Sequence, residues 1–247
     1  DLHDSVHSCP TRRSSDLLWV AMARATPPDP LAGLAAPELL AVDFPQLDLV
    51  SSHLPDSDEL KALSLAVEGA ALAVKGVSKS GGAGASASSR AIALVTSAGF
   101  AQAYRRTGVS LSVSAIAGEG TGMERDHDYS AACHFEDLKT PQEVGKSAGE
   151  RAVKRLNARK IASQAVTVIY DRRVASSLLG HLSSAINGAA IARGTSFLKS
   201  KMGQQIFSKG ISVIDDPLRL RGLASRPFDG EGLSSSRREL IADGILT

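Results

Sequence analysis

Val109, Leu111 and Val113 alternate with Ser110, Ser112 and Ser114. Side chains on a strand point to opposite faces in turn, so this two-residue period predicts an antiparallel strand with one face buried and one in water. Residues 91–96 and 129–135 read as further strands, and residues 46–54, with Leu47 and Leu49 at strand spacing, as another. Three or four strands without an intervening helix pair as a meander, which places the chain in the α+β class rather than in a doubly wound fold. The expected organisation is an N-terminal α/β portion of antiparallel strands and helices, followed by the start of a β-rich C-terminal domain.

The helical segments announce themselves through their caps. Asp56 with Glu59 three residues on forms a capping box; Leu60, Leu63, Val67, Ala70 and Val74 then share a face, and Gly76 supplies a left-handed end, so a helix is expected over residues 57–75. Thr140-Pro141-Gln142-Glu143 is a second capping box with proline at the first helical position. Behind it Val144, Ala148, Val153 and Leu156 form a buried stripe, and Glu150 faces Lys154 one turn on. Residues 166–170 read as a short buried strand leading to Asp171, the cap of a helix over residues 174–193 rich in Ala, Ser and Gly. Asn187-Gly188 is expected to loosen that helix locally.

Other stretches read as loops. Residues 78–89, SKSGGAGASASS, are low-complexity and are expected to form a mobile loop. Pro27, Pro28, Pro30 and Pro37 argue for an irregular lead-in with a short helix over residues 37–42. Asp215-Asp216-Pro217 ends a strand over residues 211–214, and Asp243-Gly244 is a two-residue hairpin signal whose second arm is short, as though the strand were interrupted. Residues 7–17, HSCPTRRSSDL, resemble translated sequencing-adapter sequence and show neither periodicity, so residues 1–17 are set aside as non-native. The remainder divides into residues 18–160 and 161–247.

Charge narrows the partners. The 28 basic and 26 acidic residues are interspersed, and aromatics make up only 4% of the chain, whereas phosphate tracking needs clustered cations and stacking rings; nucleic acid is therefore not an expected partner. No window approaches the roughly 20 apolar residues of a membrane span. Two cysteines, Cys9 and Cys133, make no disulfide framework and fit a reducing cytoplasm.

Several constellations bear on chemistry. His127, Cys133 and His134, with Asp126, Asp128 and Glu136 nearby, invite a metal site, but on one strand Cys133 and His134 point to opposite faces, which favours structural or exposed roles. His181 has apolar neighbours one turn away, Leu178 and Ala185, and reads as a packed histidine, with a polar contact to a peptide or partner subunit as the alternative. Gly180, Ser183, Ser184, Gly188 and Ala189 permit close helix packing, within the domain or across a subunit contact. Flexible glycines place Arg193, Arg226, Asp229 and Glu231 on short turns where they can touch an extended peptide or lock neighbouring strands. For Asp229 and Glu231, structural hydrogen bonding stands ahead of acid/base work.

The order of residues in VTVIYDRRVASSLLGHLSSAINGAAIARGTSFL, VIDDP and RPFDGEG resembles the TldD/PmbA family of peptidase subunits, and within it the PmbA (TldE) branch. The resemblance covers residues 38 to 247, strongest from Val166 onward, and family members are longer at both ends. It implies a hetero-oligomeric peptidase that hydrolyses short or unfolded peptides inside a closed cavity. In the zinc-bearing TldD branch the helix matching residues 174–193 carries an H-E-x-x-x-H run that binds the metal and activates water. Here it reads LLGHLSSAINGAA, with His181 and no glutamate. The resemblance therefore implies no cofactor in this chain, zinc in a TldD-like partner, and a chain that completes the chamber, with His181, Arg193, Arg226, Asp229 and Glu231 as candidates for peptide or interface contacts. A non-catalytic scaffold or regulatory protein, and a hydrolase with an unrecognised site, are the alternatives.

Overall fold

Pairing of the serine–alanine run with the alternating strand creates the main sheet. The computed structural model describes residues 10–27 and 33–247, with side chains from Leu17 onward. Helix α1 (Pro10–Ala25) is followed by a one-turn 3-10 helix at Pro37–Leu39, helix α2 (Ser57–Leu72), and strands β1 (Val77–Val95), β2 (Ala101–Ala117) and β3 (Glu124–Ala132). Next come helices α3 (Pro141–Lys154), α4 (Arg172–Ala185) and α5 (Gly188–Ala192), then strands β4 (Val213–Asp215), β5 (Arg238–Ala242) and β6 (Ile245–Leu246). Among the described residues two three-stranded antiparallel sheets result, β1-β2-β3 and β4-β5-β6. The α+β class and the meander expected from sequence are what the chain adopts.

Val109, Leu111, Val113, Ala115 and Ala117 line the buried face of β2, as their period requires. They pack on Val67 and Ala71 of α2 and on Val144, Ala148 and Ala152 of α3. Full burial of a Leu111 or Val144 side chain contributes about 1.5–3 kcal/mol. Both capping boxes form: Asp56 accepts from the Asp58 and Glu59 amides, and Thr140 from the Glu143 amide. The buried stripe of α3 includes Gly145 and Gly149, through which it sits directly on the α2 backbone.

The run over residues 78–89 is not a loop. It forms most of β1, paired with β2 and in unbroken register from Gly82 onward, because a strand is selected by its partner's hydrogen bonds as well as by its own side chains. Ala83 and Ala85 reach the core, Ser86 meets Ser110 across the strands at 2.9 Å, and Gly82 (φ 112°) takes the positive φ of a bulge between Ser80 and Gly82. At the free edge of the sheet, Asp126 accepts the His127 amide at 2.7 Å and Asp128 the Tyr129 amide at 2.9 Å. Arg173 donates to the His127 carbonyl at 3.0 Å, so this edge is largely closed to pairing.

Other expectations are corrected. Residues 46–54 are extended but join no ladder: the Leu47 carbonyl accepts from the Arg221 amide and the Leu49 carbonyl from the Thr107 amide and hydroxyl, while their side chains are buried. Residues 166–170 form no strand, and Val166, Val168, Ile169 and Tyr170 are exposed, since among the described residues no strand lies beside them. The third strand ends at Ala132, before a 3-10 turn at Phe135–Asp137. Helix α2 ends at Leu72, and Glu150 pairs with Lys146 at 3.8 Å rather than with Lys154. The helix expected over 174–193 divides at Asn187, which caps α5 by accepting the Ala189 amide. Of the segment set aside, residues 1–9 lie outside the described residues, as does the proline-rich lead-in over 28–32; residues 10–17 belong to α1, whose Leu17, Leu18 and Trp19 are exposed.

Sheet β4-β5-β6 turns at Asp243 (φ 48°) and Gly244 (φ 85°), the paired positive φ values of the hairpin signal. Ile241 and Leu246 pack with Leu198 under Leu182 and Ala185 of α4. The β1–β2 tip meets the 226–232 loop in an aromatic cluster, where Phe228 contacts Phe100 edge-on at 5.2 Å and Tyr104 at 5.3 Å.

Candidate functional site

Helix α4 is started by Asp171, whose carboxylate accepts the Arg173 amide at 2.9 Å; that bond holds its carboxyl below the usual range. The packed face consists of Leu182 and Ala185, and the buried Ser196 hydroxyl donates to the Ala185 carbonyl at 2.5 Å. His181 is exposed, not packed as expected, because the inward stripe passes through Leu182 and its ring falls on the solvent side. Gly180, Ser183, Ser184, Gly188 and Ala189 are likewise exposed and do not mediate packing within the domain.

The donor set of α4 does not fit a metal. Between Arg172 and Ala185, His181 supplies the sole imidazole and there is no carboxylate or thiol. Among the described residues no three His, Cys, Asp or Glu side chains are grouped to hold an ion. His127 is exposed on β3. Cys133 is buried with Leu47 and Leu49, its thiol 3.7 Å from the Gly222 carbonyl.

The remaining candidates fall in two places. Arg193 is exposed at the C-terminus of α5, just before Gly194 (φ 69°). Arg226, Asp229 and Glu231 lie on the loop anchored by Phe228. Asp229 accepts the Glu231 and Leu233 amides, each at 2.9 Å, while Arg226 and Glu231 are exposed. No hydrogen bond or ion pair among the described residues joins His181 or Arg193 to this loop. Sequence reasoning missed the anchor, Phe228, whose signal was a lone aromatic between the loop's charged residues.

It also missed two charged junctions. Asp48 (φ 49°) and Arg221 (φ 54°) both adopt left-handed backbone and bond through Nε at 2.6 Å. Arg221 further reaches Glu136 at 3.2 Å and Asp137 at 3.3 Å. Its hydrogen bond lowers the Asp48 carboxyl below its usual range and raises the guanidinium's own value. Buried His134 sits behind, Nε2 2.8 Å from the Asp48 carbonyl and Nδ1 3.2 Å from Glu136. A carbonyl only accepts, so Nε2 carries a proton. At the second junction Arg173 Nη1 lies 2.9 Å from Asp126. Burial alone would raise the Asp126 carboxyl; hydrogen bonds from Arg173, the His127 amide and Arg155 outweigh it and bring it down to about 2.

Family comparison separates the chain on either side of residues 157–162. Residues 52–156 match the PmbA/TldA metallopeptidase central domain, and residues 163–247 the C-terminal domain of the same family. The chain belongs to the PmbA/TldD family. Metalloprotease PmbA of Escherichia coli O157:H7 is 40% identical over 92% of this chain and 50% of its own length. The PmbA homologue of Haemophilus influenzae is 36% identical over 92% of the chain and 51% of its own length. The chain thus spans about half the length of these relatives. A Bacteroides thetaiotaomicron protein described as a modulator of DNA gyrase superposes with a TM-score of 0.84 at 25% identity, over 95% of this chain and 55% of its own. TldE of Thermococcus kodakarensis superposes at 0.61 with 18% identity, over 92% of this chain and 51% of its own, and shares the fold.

Proposed function

We propose that this chain is a PmbA/TldE-like subunit of a TldD/PmbA peptidase complex that hydrolyses short or unfolded peptides, in which a TldD-like partner holds the zinc and this chain completes the substrate chamber. The observation that carries the reading is the chemistry of α4: an exposed His181 followed by a buried Leu182, where metal-assisted hydrolysis requires a second ligand and a carboxylate base. The chain's own contribution is to position peptide. Exposed His181, Arg193, Arg226 and Glu231 are the candidate side chains for that contact, and Asp229 holds the turn that presents Glu231. A free, buried Cys133 fits a reducing compartment, and we place the complex in the cytoplasm.

The test is to mix the chain with a TldD-like protein carrying H-E-x-x-x-H, assay zinc on each polypeptide, and follow cleavage of an unstructured peptide. Zinc on the partner alone and cleavage by the mixture are expected. Stoichiometric zinc on this chain, or a stable pair without cleavage, would overturn the proposal, the latter in favour of a binding protein.

A further inference from the structure

The first turn of α4 closes a cleft of about 720 Å³ against β3 and the end of α3. Arg125, His127 and Tyr129 line it from β3, Arg155 from beyond α3, and Arg172 and Arg173 from α4. Its one lining carboxylate, Asp126, is already engaged by Arg173 at 2.9 Å and Arg155 at 3.5 Å, and at its margin Asp171 meets Arg173 at 3.6 Å and Glu124 meets Arg155 at 3.7 Å. Arg125 and Arg172 are exposed, and neither forms an ion pair among the described residues. The cleft therefore carries an uncompensated positive charge, unlike the junction at Arg221, where three carboxylates surround one guanidinium.

The shape narrows the ligand. Arg125, His127 and Tyr129 alternate with buried Asp126 and Asp128 and so stand on one face of β3, successive side chains about 6.7 Å apart. Side chains on one face of an extended peptide have the same repeat. Tyr129, 59% exposed, and Val174, 52% exposed, add apolar surface for aliphatic portions, which an isolated phosphate would not use. A nucleic acid would call for several stacking rings, and the cleft has one tyrosine. We infer that this cleft binds acidic extended peptides, with Arg125 and Arg172 as the cations that receive their carboxylates. The choice of a peptide ligand rests on the peptidase reading above; the cleft's positive charge does not.

The test is titration calorimetry on the purified full chain, without any partner. The probes are an acetylated, amidated Ala-Glu-Ala-Glu-Ala peptide, its Gln counterpart, and inorganic phosphate as competitor. The Glu peptide is expected to bind at least tenfold tighter than the Gln peptide and to weaken with salt. Arg125→Gln and Arg172→Gln together are expected to cost tenfold or more at unchanged Tm, while Arg90→Gln, outside the cleft, changes nothing. Each single variant is expected to lose part of the effect. Equal binding of the two peptides, equal loss in Arg90→Gln, or displacement by phosphate at lower concentration than by free Glu peptide would overturn the inference. Because no hydrolysis is measured, a failed cleavage assay and a failed binding assay remain separate results.

Discussion

Arg173 and Asp126, 47 residues apart in sequence, form a 2.9 Å ion pair that ties the first turn of α4 to β3. It bridges the two stretches that match separate family domains. The segment between α3 and α4 is exposed and without regular structure, so this contact and the Arg221 junction carry much of the polar connection.

The pair makes stability depend on acid. The Asp126 carboxyl lies at about 2 when folded against an ordinary 3.8, so its contribution is fully present above about pH 4 and is lost as pH falls through 2. That shift corresponds to about 2 kcal/mol. Thermal melts of the wild type and Asp126→Asn between pH 7 and 2 are expected to differ most at neutral pH and to converge in acid.

Gly145 and Val67 give the sharpest packing test. A Cβ at 145 would stand 2.5 Å from the Val67 carbonyl oxygen and 2.6 Å from the Ala70 Cβ, so Gly145→Ala must push α3 off α2. A loss of about 3 kcal/mol is expected from such overpacking. Gly69→Ala, exposed on α2 with nothing within 4 Å, is expected to stabilise by about 0.5–1 kcal/mol. Urea unfolding of the two variants, with opposite signs, checks both.

Arg221 guards a thiol. Its amide bonds to the Leu47 carbonyl and its side chain to Asp48, holding the loop whose Gly222 carbonyl receives the Cys133 thiol. Arg221→Ala is expected to raise the rate of native-state labelling of Cys133 several-fold, read by peptide mass so that Cys9 does not interfere. An unchanged rate would mean that the loop is held by Arg106 and its bond to the Leu223 carbonyl instead.

Thr140 accepts the Glu143 amide at 3.2 Å and opens α3, which supplies much of the first core. Thr140→Ala is expected to cost about 1 kcal/mol, and Thr140→Ser little, in the same unfolding measurement.

Much of this architecture was legible in the residues. Asp56, Thr140 and Asp171 each cap the helix they announce, because a capping side chain bonds to amides two or three positions away and needs no distant partner. Val109 to Val113 declare their buried face for the same local reason, and Asp243-Gly244 its turn. Half of the candidate site was visible as well: His181 without a carboxylate beside it is a fact of composition. Its exposure was not, since Leu178 and Ala185 suggested a packed face and the stripe runs through Leu182.

The sequence by itself determined where α2, α3 and α4 begin and which face of β2 is apolar, properties set by neighbours within a turn or a pleat. Tertiary structure decided that the Gly/Ser/Ala run pairs as β1 while the more apolar residues 166–170 pair with nothing described here. It also decided that Arg221 meets Asp48 and that Arg173 meets Asp126. Strand pairing and ion pairing both join residues far apart along the chain, and their free energy exists only once the intervening fold has brought the partners together.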